Sequence, residues 1–292
     1  MNFIIEKFKK VSVHIWEEQI LPVFRSAFFD KQFASLPLAG PMFNLWEHFF
    51  KLGKIPFFRE HLPEFDPKLT DMRWIPINQK IEGAEEIALP EDVLFKLIEK
   101  AKHRVIVNFC GCRTACGCQH YPNDIGCLMM GESALLIPEK SRREVNIQEA
   151  KEHVVKAIAA GLIPIAGKAR IDNDLFMLPD KNKLLTVCFC CECCCITRFT
   201  RHVPLDVLDS MIRPIEGLRI EVTDKCIGCG KCVDKCYTQA ITIVDNRAVI
   251  NETCRVCGRC AMNCPAKAIK LTLANPSASQ EIIQRIESIV EF

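Results

Sequence analysis

CIGCGKCVDKCYTQAI, at residues 226–241, returns 28 positions later as CRVCGRCAMNCPAKAI, at residues 254–269. Each copy has the cysteine spacing C-x2-C-x2-C-x3-C. Three cysteines with two residues between each let one tight loop hold three corners of a cubane iron–sulfur cluster, and we expect the fourth to start a helix and point to the other cluster. The pattern therefore predicts two [4Fe–4S] sites, one with Cys226, Cys229, Cys232 and Cys264, and the other with Cys236, Cys254, Cys257 and Cys260.

Gly230 and Gly258 lie between the expected ligands of the two copies. A residue without a side chain lets backbone N–H groups approach the sulfur atoms of a cluster. The C-x2-C spacing is also a zinc spacing, but zinc rarely uses eight cysteines in this doubled pattern. We therefore expect iron rather than zinc in this part of the chain.

Over residues 216–274 the chain resembles the bacterial-type two-cluster ferredoxins. The resemblance implies a small βαββαβ ferredoxin domain that transfers single electrons at low potential. One position departs from the family pattern, because Tyr237 stands where the family usually has proline, whereas Pro265 keeps it. We expect a different local loop at Tyr237 and unchanged ligation.

Eleven of the nineteen cysteines lie upstream of this module. Their odd total and the adjacent cysteines argue against disulfide pairing. Core packing and zinc are alternatives, but a ferredoxin in the same chain needs an electron partner, which favours one or two further iron–sulfur clusters. The candidate ligands are Cys110, Cys112, Cys116, Cys118, Cys127, Cys188, Cys190, Cys191, Cys193, Cys194 and Cys195.

These eleven thiols exceed the four that one cubane needs. They could hold two cubanes with three cysteines spare, or one larger multinuclear cluster of unusual type. Adjacent cysteines slightly favour the larger cluster, because bridging and terminal sulfurs then come from one short loop.

Arg113, His120 and Lys168 are the candidate proton-donating or anion-binding residues near these cysteines, with Arg170 as a further cation. The alternative for each is a solvated charge or a hydrogen-bonded loop histidine. This cysteine-rich part is similar to proteins of anaerobes described as iron–sulfur or ferredoxin-like, in the segments Cys110–Arg113, Tyr121–Cys127 and Cys190–Cys195. That resemblance fixes no activity.

The composition limits the class of protein. The chain has 292 residues, 49% of them apolar, and a net charge of +2, which suits two domains and gives no electrostatic footprint for nucleic acid. So many free thiols indicate a reducing compartment and an anaerobic host. No secretory signal is recognised, and the charge-free stretch at residues 32–46 is too short to span a bilayer, so we expect a cytoplasmic protein without a transmembrane segment.

Apolar periodicity predicts a mixed fold of the α+β or α/β class, in four parts. A helical, aromatic-rich segment covers residues 1–72, with apolar patches at 4–16 and 43–52, and a cysteine-rich α/β domain covers 73–215. The ferredoxin domain covers 216–274 and an amphipathic helix covers 275–292. In the second part, two strands are predicted to run directly into Cys110 and Cys188.

Three functions are compatible with the sequence. The first is a multi-cluster electron-transfer protein, which passes electrons between a soluble carrier or redox partner and a partner enzyme docked near the apolar N-terminal segment. The second is a reductase with a special active-site cluster fed by its own ferredoxin domain, and the third is a scaffold for cluster assembly. The N-terminal segment is also a candidate surface for a homo-oligomer or a hetero-complex.

Overall fold

The computed structural model describes residues 31–37, 39–57, 70–76, 81–82, 90–180, 182–274 and 278–292. The apolar patch predicted at residues 4–16 lies outside these ranges. The described strands are β1 (Asp71–Trp74), β2 (Ile81–Glu82), β3 (Arg104–Val107), β4 (Leu128–Met130), β5 (Arg142–Glu144), β6 (Ile163–Lys168), β7 (Leu185–Cys190), β8 (Leu218–Val222), β9 (Ile241–Val244), β10 (Arg247–Ile250) and β11 (Ile269–Leu273).

The described α-helices are α1 (Lys31–Ala34), α2 (Ala39–Phe49), α3 (Pro90–Lys100), α4 (Gly111–Ala115), α5 (Ile147–Ala159), α6 (Arg170–Leu175), α7 (Leu205–Met211), α8 (Lys231–Asp234), α9 (Arg259–Met262) and α10 (Ala278–Ile289). A 3-10 segment, Ile196–His202, follows the second group of upstream cysteines. No helix in the described ranges has both the length and the apolar character needed to cross a membrane.

Six strands form the main sheet in the order β1-β6-β7-β4-β3-β5. All five pairs of neighbouring strands are antiparallel. The predicted mixture of helices and strands is confirmed as α+β, whereas the parallel sheet of an α/β domain is not found among these strands.

One face of this sheet packs against helices α3, α5 and α10. Ile106, Leu128 and Val187 belong to the same buried core as Leu97 of α3 and Ile286 of α10. Residues that alternate along a strand point to opposite faces, so Val105 and Val107 contribute to a separate core on the other side.

Local sequence signals positioned several elements correctly. Asn146 accepts a hydrogen bond from the backbone of Glu149, and the Glu149 side chain returns one to the backbone of Asn146, so the predicted capping box begins α5. Helix α5 ends at Ala159, and Gly161, two residues later, has the positive φ of +78° that is typical after a helix. Asp245 and Asn246 both have positive φ values and form the predicted tight turn between β9 and β10.

Strands β3 and β7 each pair antiparallel with β4, so they run in the same direction. Their carboxyl ends therefore lie on the same side of the sheet. The chain leaves β3 three residues before Cys110, and Cys190 is the last residue of β7. The sheet therefore brings together two cysteine groups that are far apart in sequence.

In the ferredoxin-like part, the elements follow one another as strand, helix, strand, strand, helix and strand, from β8 to β11. Strands β9 and β10 form a hairpin, and β8 pairs antiparallel with β11. The expectation that the fourth cysteine of each copy starts a helix is wrong, because Cys236 and Cys264 come after α8 and α9. Each single helical turn instead carries the third cysteine, and the turn ends before the fourth.

Candidate metal centres

Two cavities in the ferredoxin-like part are each lined by four cysteines. One, the outer site, is lined by Cys226, Cys229, Cys232 and Cys264. The other, the inner site, is lined by Cys236, Cys254, Cys257 and Cys260. Each encloses about 20 Å³. Each set combines three cysteines of one copy with the fourth of the other, which is the crossed grouping that the spacing predicts.

The backbone around the two sites repeats as closely as the sequence does. Gly230 and Gly258 both have left-handed φ values, of 74° and 78°. The backbone N–H of Ala240 donates to the Cys236 Sγ atom at 3.2 Å, and the N–H of Ala268 donates to the Cys264 Sγ atom at the same distance. Donors placed on thiolate sulfur are what an anionic iron–sulfur cluster requires, so the residues fit this cofactor.

The outer and inner sites differ in exposure. Cys229 of the outer site is exposed, and its neighbour Ile227 has 59% of its surface open to solvent. In the inner site, burial raises the pKa of Cys257 to about 12. The inner site is therefore enclosed by the rest of the protein, whereas the outer site lies at the surface.

A network of ion pairs joins the inner site to the upstream cysteines. Arg259, which lines the inner site and is 3% exposed, donates to the backbone oxygen of Cys190 at 2.6 Å and to the Glu192 carboxylate at 2.9 Å. Lys235 donates to the same carboxylate at 2.5 Å, and the Tyr121 hydroxyl does so at 2.9 Å. Burial alone would raise the pKa of Glu192, but Lys235, Arg259 and Tyr121 together hold it below its usual value.

Four upstream cysteines form a compact thiol group, named here the four-thiol group: Cys118, Cys191, Cys193 and Cys194. Their Sγ atoms all lie within 4.8 Å of one another, a spacing that suits ligands of one metal ion or small cluster. Hydrogen bonding by Cys194 lowers the pKa of Cys191 despite its burial, so a thiolate is favoured there. Cys116 lies beside the group, with its Sγ 3.9 Å from the Cys194 carbonyl oxygen.

Arg198 connects the four-thiol group to helix α2. Its guanidinium donates to the Cys193 carbonyl oxygen at 2.6 Å, and Nη1 lies 3.9 Å from the Cys116 Sγ atom. The other side of the guanidinium binds Glu47 at 3.0 Å and Asn44 at 2.9 Å. Arg198 therefore supplies positive charge next to the thiols and fixes the N-terminal region against them.

Seven upstream cysteines line a third cavity, one of which is Cys191 of the four-thiol group. The other six are named here the six-thiol group: Cys110, Cys112, Cys127, Cys188, Cys190 and Cys195. The Sγ atoms of Cys127 and Cys188 are 2.8 Å apart, and those of Cys190 and Cys195 are 2.9 Å apart. Hydrogen bonding by Cys112, aided by the Arg113 charge, lowers the pKa of Cys110 despite its burial. The group combines cysteines from the region of β3 and α4, the residue before β4 and both ends of the Cys188–Cys195 segment.

The predicted anion-binding residues have different positions in the structure. Arg113 is 1% exposed and lies among the cysteines, where it donates to the Phe189 and Pro122 carbonyl oxygens at 2.6 and 2.8 Å. His120 is exposed, and Lys168 donates to the Asn182 side chain at 2.7 Å. Neither His120 nor Lys168 lines one of the three cysteine cavities.

The sequence did not single out Glu192, Arg198, Arg259 or Asp172 as site residues. Asp172, in α6, is buried at the wall of the third cavity, and burial raises its pKa to about 6. The position of Glu192 inside the Cys190–Cys195 segment was the available signal, because a carboxylate between thiolates requires cationic partners.

Comparison with known families identifies one region. A family model described as a 4Fe-4S dicluster domain matches residues 225–268. No curated protein and no solved structure matches the chain. The matched region is thus an iron–sulfur, ferredoxin-like module, and together with the four-thiol group it indicates iron–sulfur electron transfer.

Proposed function

We propose that this protein passes low-potential electrons along a chain of iron–sulfur clusters, from the outer site through the inner site to the upstream cysteines. The observation that carries the proposal is the position of Arg259. This one side chain lines the inner site and also donates to the Cys190 carbonyl oxygen at 2.6 Å. One guanidinium therefore bridges the inner site and the backbone of the upstream cysteine segment.

In this proposal, the crossed sets of four cysteines hold one [4Fe–4S] cluster each, and the four-thiol group holds a further cluster. Bound clusters supply reversible one-electron chemistry at potentials set by charge, exposure and hydrogen bonds to sulfur. The protein supplies the charge, the exposure and the hydrogen bonds that set these potentials. Ala240 and Ala268 donate backbone hydrogen bonds to ligand sulfur, while Arg259 and Arg198 place positive charge beside the inner and upstream sites.

The outer site is the proposed point of exchange with a soluble carrier or a redox partner protein. Cys229 is exposed, and Ile227 and Ile243 form an exposed apolar rim around the cavity. A partner that covers this rim would bring its own redox centre near the outer cluster. The inner site offers no comparable exposed edge, because Tyr237, Arg255 and Arg259 in its wall are all buried.

At the other end of the chain, a partner redox enzyme is proposed to dock near the N-terminal region. Exposed apolar side chains are present there, at Leu36, Leu45, Ile55 and Phe57. Arg198 joins this region to the four-thiol group through Glu47 and Asn44. A partner on this surface would therefore lie one ion pair away from the upstream thiols.

A second candidate function is a reductase, and one observation favours it. A cavity of about 150 Å³ reaches the six-thiol group, so those cysteines are not sealed by protein on every side. A cluster there could react with a small molecule, and the ferredoxin-like module would feed it with electrons. The charged residues at the wall of this cavity are Arg113, Arg170, Asp172 and Asp174.

An iron assay and a kinetic experiment test the electron-transfer proposal. We expect about 12 to 16 iron atoms per chain in anaerobically purified protein, and about eight would remove the upstream clusters. In rapid mixing with a reduced low-potential ferredoxin, Cys226→Ser should slow reduction of the upstream centre at least tenfold. Dithionite should still reduce that centre fully in the variant. Equal rates of reduction by ferredoxin in the variant and the original protein would exclude the proposed order of sites.

A further inference from the structure

The third cavity has an unusual lining. It encloses about 150 Å³, and its walls are largely apolar, with Phe50, Met72, Phe109 and Met129 among them. Seven of the nineteen cysteines nevertheless line it, namely the six-thiol group and Cys191. A buried free cysteine packs like any small apolar residue, and its thiol forms only weak hydrogen bonds. Packing alone therefore gives no reason for six thiols to converge on one cavity. Their convergence requires another explanation.

The six thiols are arranged as three close pairs. Cys127 and Cys188 are 2.8 Å apart at sulfur, and Cys190 and Cys195 are 2.9 Å apart. The third pair, Cys110 and Cys112, shares a hydrogen bond. These separations are longer than the S–S bond of about 2.05 Å in a disulfide. All six are free thiols in one small volume, which is the arrangement of a ligand set for several metal ions.

Two arginines at the cavity wall favour an anionic occupant, although Asp172 and Asp174 also line the cavity and Asp174 pairs with Arg170. The Arg113 guanidinium is buried beside Cys110 and Cys191, and it forms no ion pair with a carboxylate of the described residues. Arg170 also lines the cavity, and its Nη1 atom is buried with no hydrogen-bond partner in the described part of the chain. Arg113 donates to three carbonyl oxygens and lacks only a countercharge, whereas the Arg170 Nη1 atom lacks an acceptor, and each deficit carries a desolvation cost. Sulfide and thiolate of an iron–sulfur cluster would satisfy both.

The backbone separates this group from the four-thiol group. Cys188 and Cys190 lie two residues apart in β7, so their side chains point to the same face and both line the cavity. The next residue, Cys191, belongs to the compact four-thiol group, although it also touches the cavity wall. In the same way, Cys194 belongs to the four-thiol group and Cys195 to the six-thiol group. The adjacent cysteines are thus divided between the two thiol groups.

From this arrangement we propose that the six-thiol group holds its own multinuclear iron–sulfur cluster, separate from that of the four-thiol group, with more protein thiolates than the four of a cubane. The inference rests on the iron–sulfur binding in the proposed function. It adds that the upstream part of the chain holds two centres with different ligand sets. The cavity beyond the thiols then leaves one side of the second centre accessible to a small molecule.

Two double variants test the separation. Cys127→Ser with Cys188→Ser removes one pair of the six-thiol group, and Cys118→Ser with Cys193→Ser removes half of the four-thiol group. Iron content by elemental mass spectrometry should fall by about four atoms or more in each case. In each double variant, the Mössbauer and electron paramagnetic resonance spectra should lose the component of the altered thiol group and keep the component of the other.

The result that would overturn the inference is also defined. If both double variants lose the same upstream spectrum, the cysteines form one centre. If the Cys127 and Cys188 variant keeps its full iron content, or if the original protein has zinc or disulfides at these positions, the six-thiol cluster does not exist. The electron-transfer proposal is measured separately, by reduction rates of the four-thiol centre, so it can survive this failure.

Two controls distinguish the loss of one cluster from misfolding of the whole protein. The ferredoxin-like signals should persist in both double variants, since the cavities of the outer and inner sites contain none of the four substituted cysteines. Arg113→Met leaves every cysteine in place. It should alter the spectrum or potential of the six-thiol centre more than that of the inner site. If neither the spectrum nor the potential of the six-thiol centre changes, the Arg113 charge does not act on that centre.

Discussion

The indole Nε1 of Trp74 donates a hydrogen bond to the hydroxyl of Tyr237 at 2.5 Å, and the two ring centroids are 4.9 Å apart. Trp74 ends β1 at the edge of the six-stranded sheet, and Tyr237 directly follows Cys236 of the inner site. Both side chains are buried. Tyrosine in place of the usual proline therefore anchors the ferredoxin-like module on the neighbouring sheet.

We predict that Tyr237→Phe will lower the free energy of unfolding by about 1–3 kcal/mol, because the buried Trp74 donor loses its acceptor while the ring remains. Tyr237→Ala should cost about 3–5 kcal/mol, since the ring is also lost. Anaerobic urea denaturation followed by visible absorbance measures both. Iron content should stay unchanged in Tyr237→Phe, and equal stability of Phe and Tyr would show that the hydrogen bond contributes nothing.

Glu192 is predicted to hold the inner site against the upstream cysteines. Glu192→Gln removes the charge that Arg259 and Lys235 share, and a buried cation without its partner should cost about 3 kcal/mol. We expect a lower urea midpoint together with slower electron transfer from the inner site to the upstream centre. Asp224→Asn is the control, because its ion pair with Arg247 is exposed and should change neither quantity. Equal effects of the two substitutions would rule out a special role for Glu192.

The crossed ligation can be tested with pairs of substitutions. If Cys236 and Cys254 serve the same cluster, the double variant with serine at both positions should lose no more iron than either single variant. Serine at Cys236 and Cys226 together should instead remove two clusters, or about eight iron atoms. Iron analysis and the spin-coupling pattern of the reduced protein distinguish the cases. Additive loss for Cys236 and Cys254 would mean that each copy of the motif holds its own cluster.

Acidification should loosen helix α2. Burial alone would raise the pKa of Glu47, but hydrogen bonds and charges of His202, Arg198 and Arg201 hold it below its usual value of 4.5. A lowered pKa gives stability that is present above pH 4.5 and is lost as the pH falls through the lower folded value. Burial also lowers the pKa of His202, with Arg201 and Lys51 nearby, so its protonation below pH 6.5 acts in the same direction.

Hydrogen exchange of residues 39–49 at pH 7 and pH 4, corrected for intrinsic rates, measures this effect. The segment should lose protection at pH 4 relative to helix α5. In Glu47→Gln, protection should already be reduced at pH 7 and should change less with pH. Unchanged protection of residues 39–49 in the original protein at pH 4 would contradict the assignment.

Arg198 is predicted to raise the reduction potential of the four-thiol centre. Arg198→Met removes a cation next to Cys193 and Cys116, so adding an electron to an anionic cluster becomes harder and the potential becomes more negative. Glu47→Gln breaks the same ion pair but keeps the cation, and it should not shift the potential in this direction. Spectroelectrochemical titration compares the two, and a shared negative shift would point to structural damage instead of charge.

Local sequence was sufficient to predict a feature when all the residues that determine it lie in one loop. The spacing from Cys226 to Cys232 fixed which three thiols share a site, and the capping box at Asn146 and Glu149 fixed the start of α5. The predicted end of β7 was less accurate, because the strand continues through Cys188 to Cys190. Cysteine is readily accommodated in a buried strand, and the sequence pattern does not reveal where the ladder stops.

The sequence by itself determined that the ferredoxin-like module has two matched four-cysteine sites, because its doubled spacing forces each loop to present three thiols together. The tertiary structure decided how the eleven upstream cysteines are divided. Cys127 meets Cys188, and Cys118 meets Cys193, only because the antiparallel sheet places distant loops at one edge. Such contacts depend on strand direction and on buried ion pairs such as Glu192 with Arg259, and residue spacing within one segment does not contain that information.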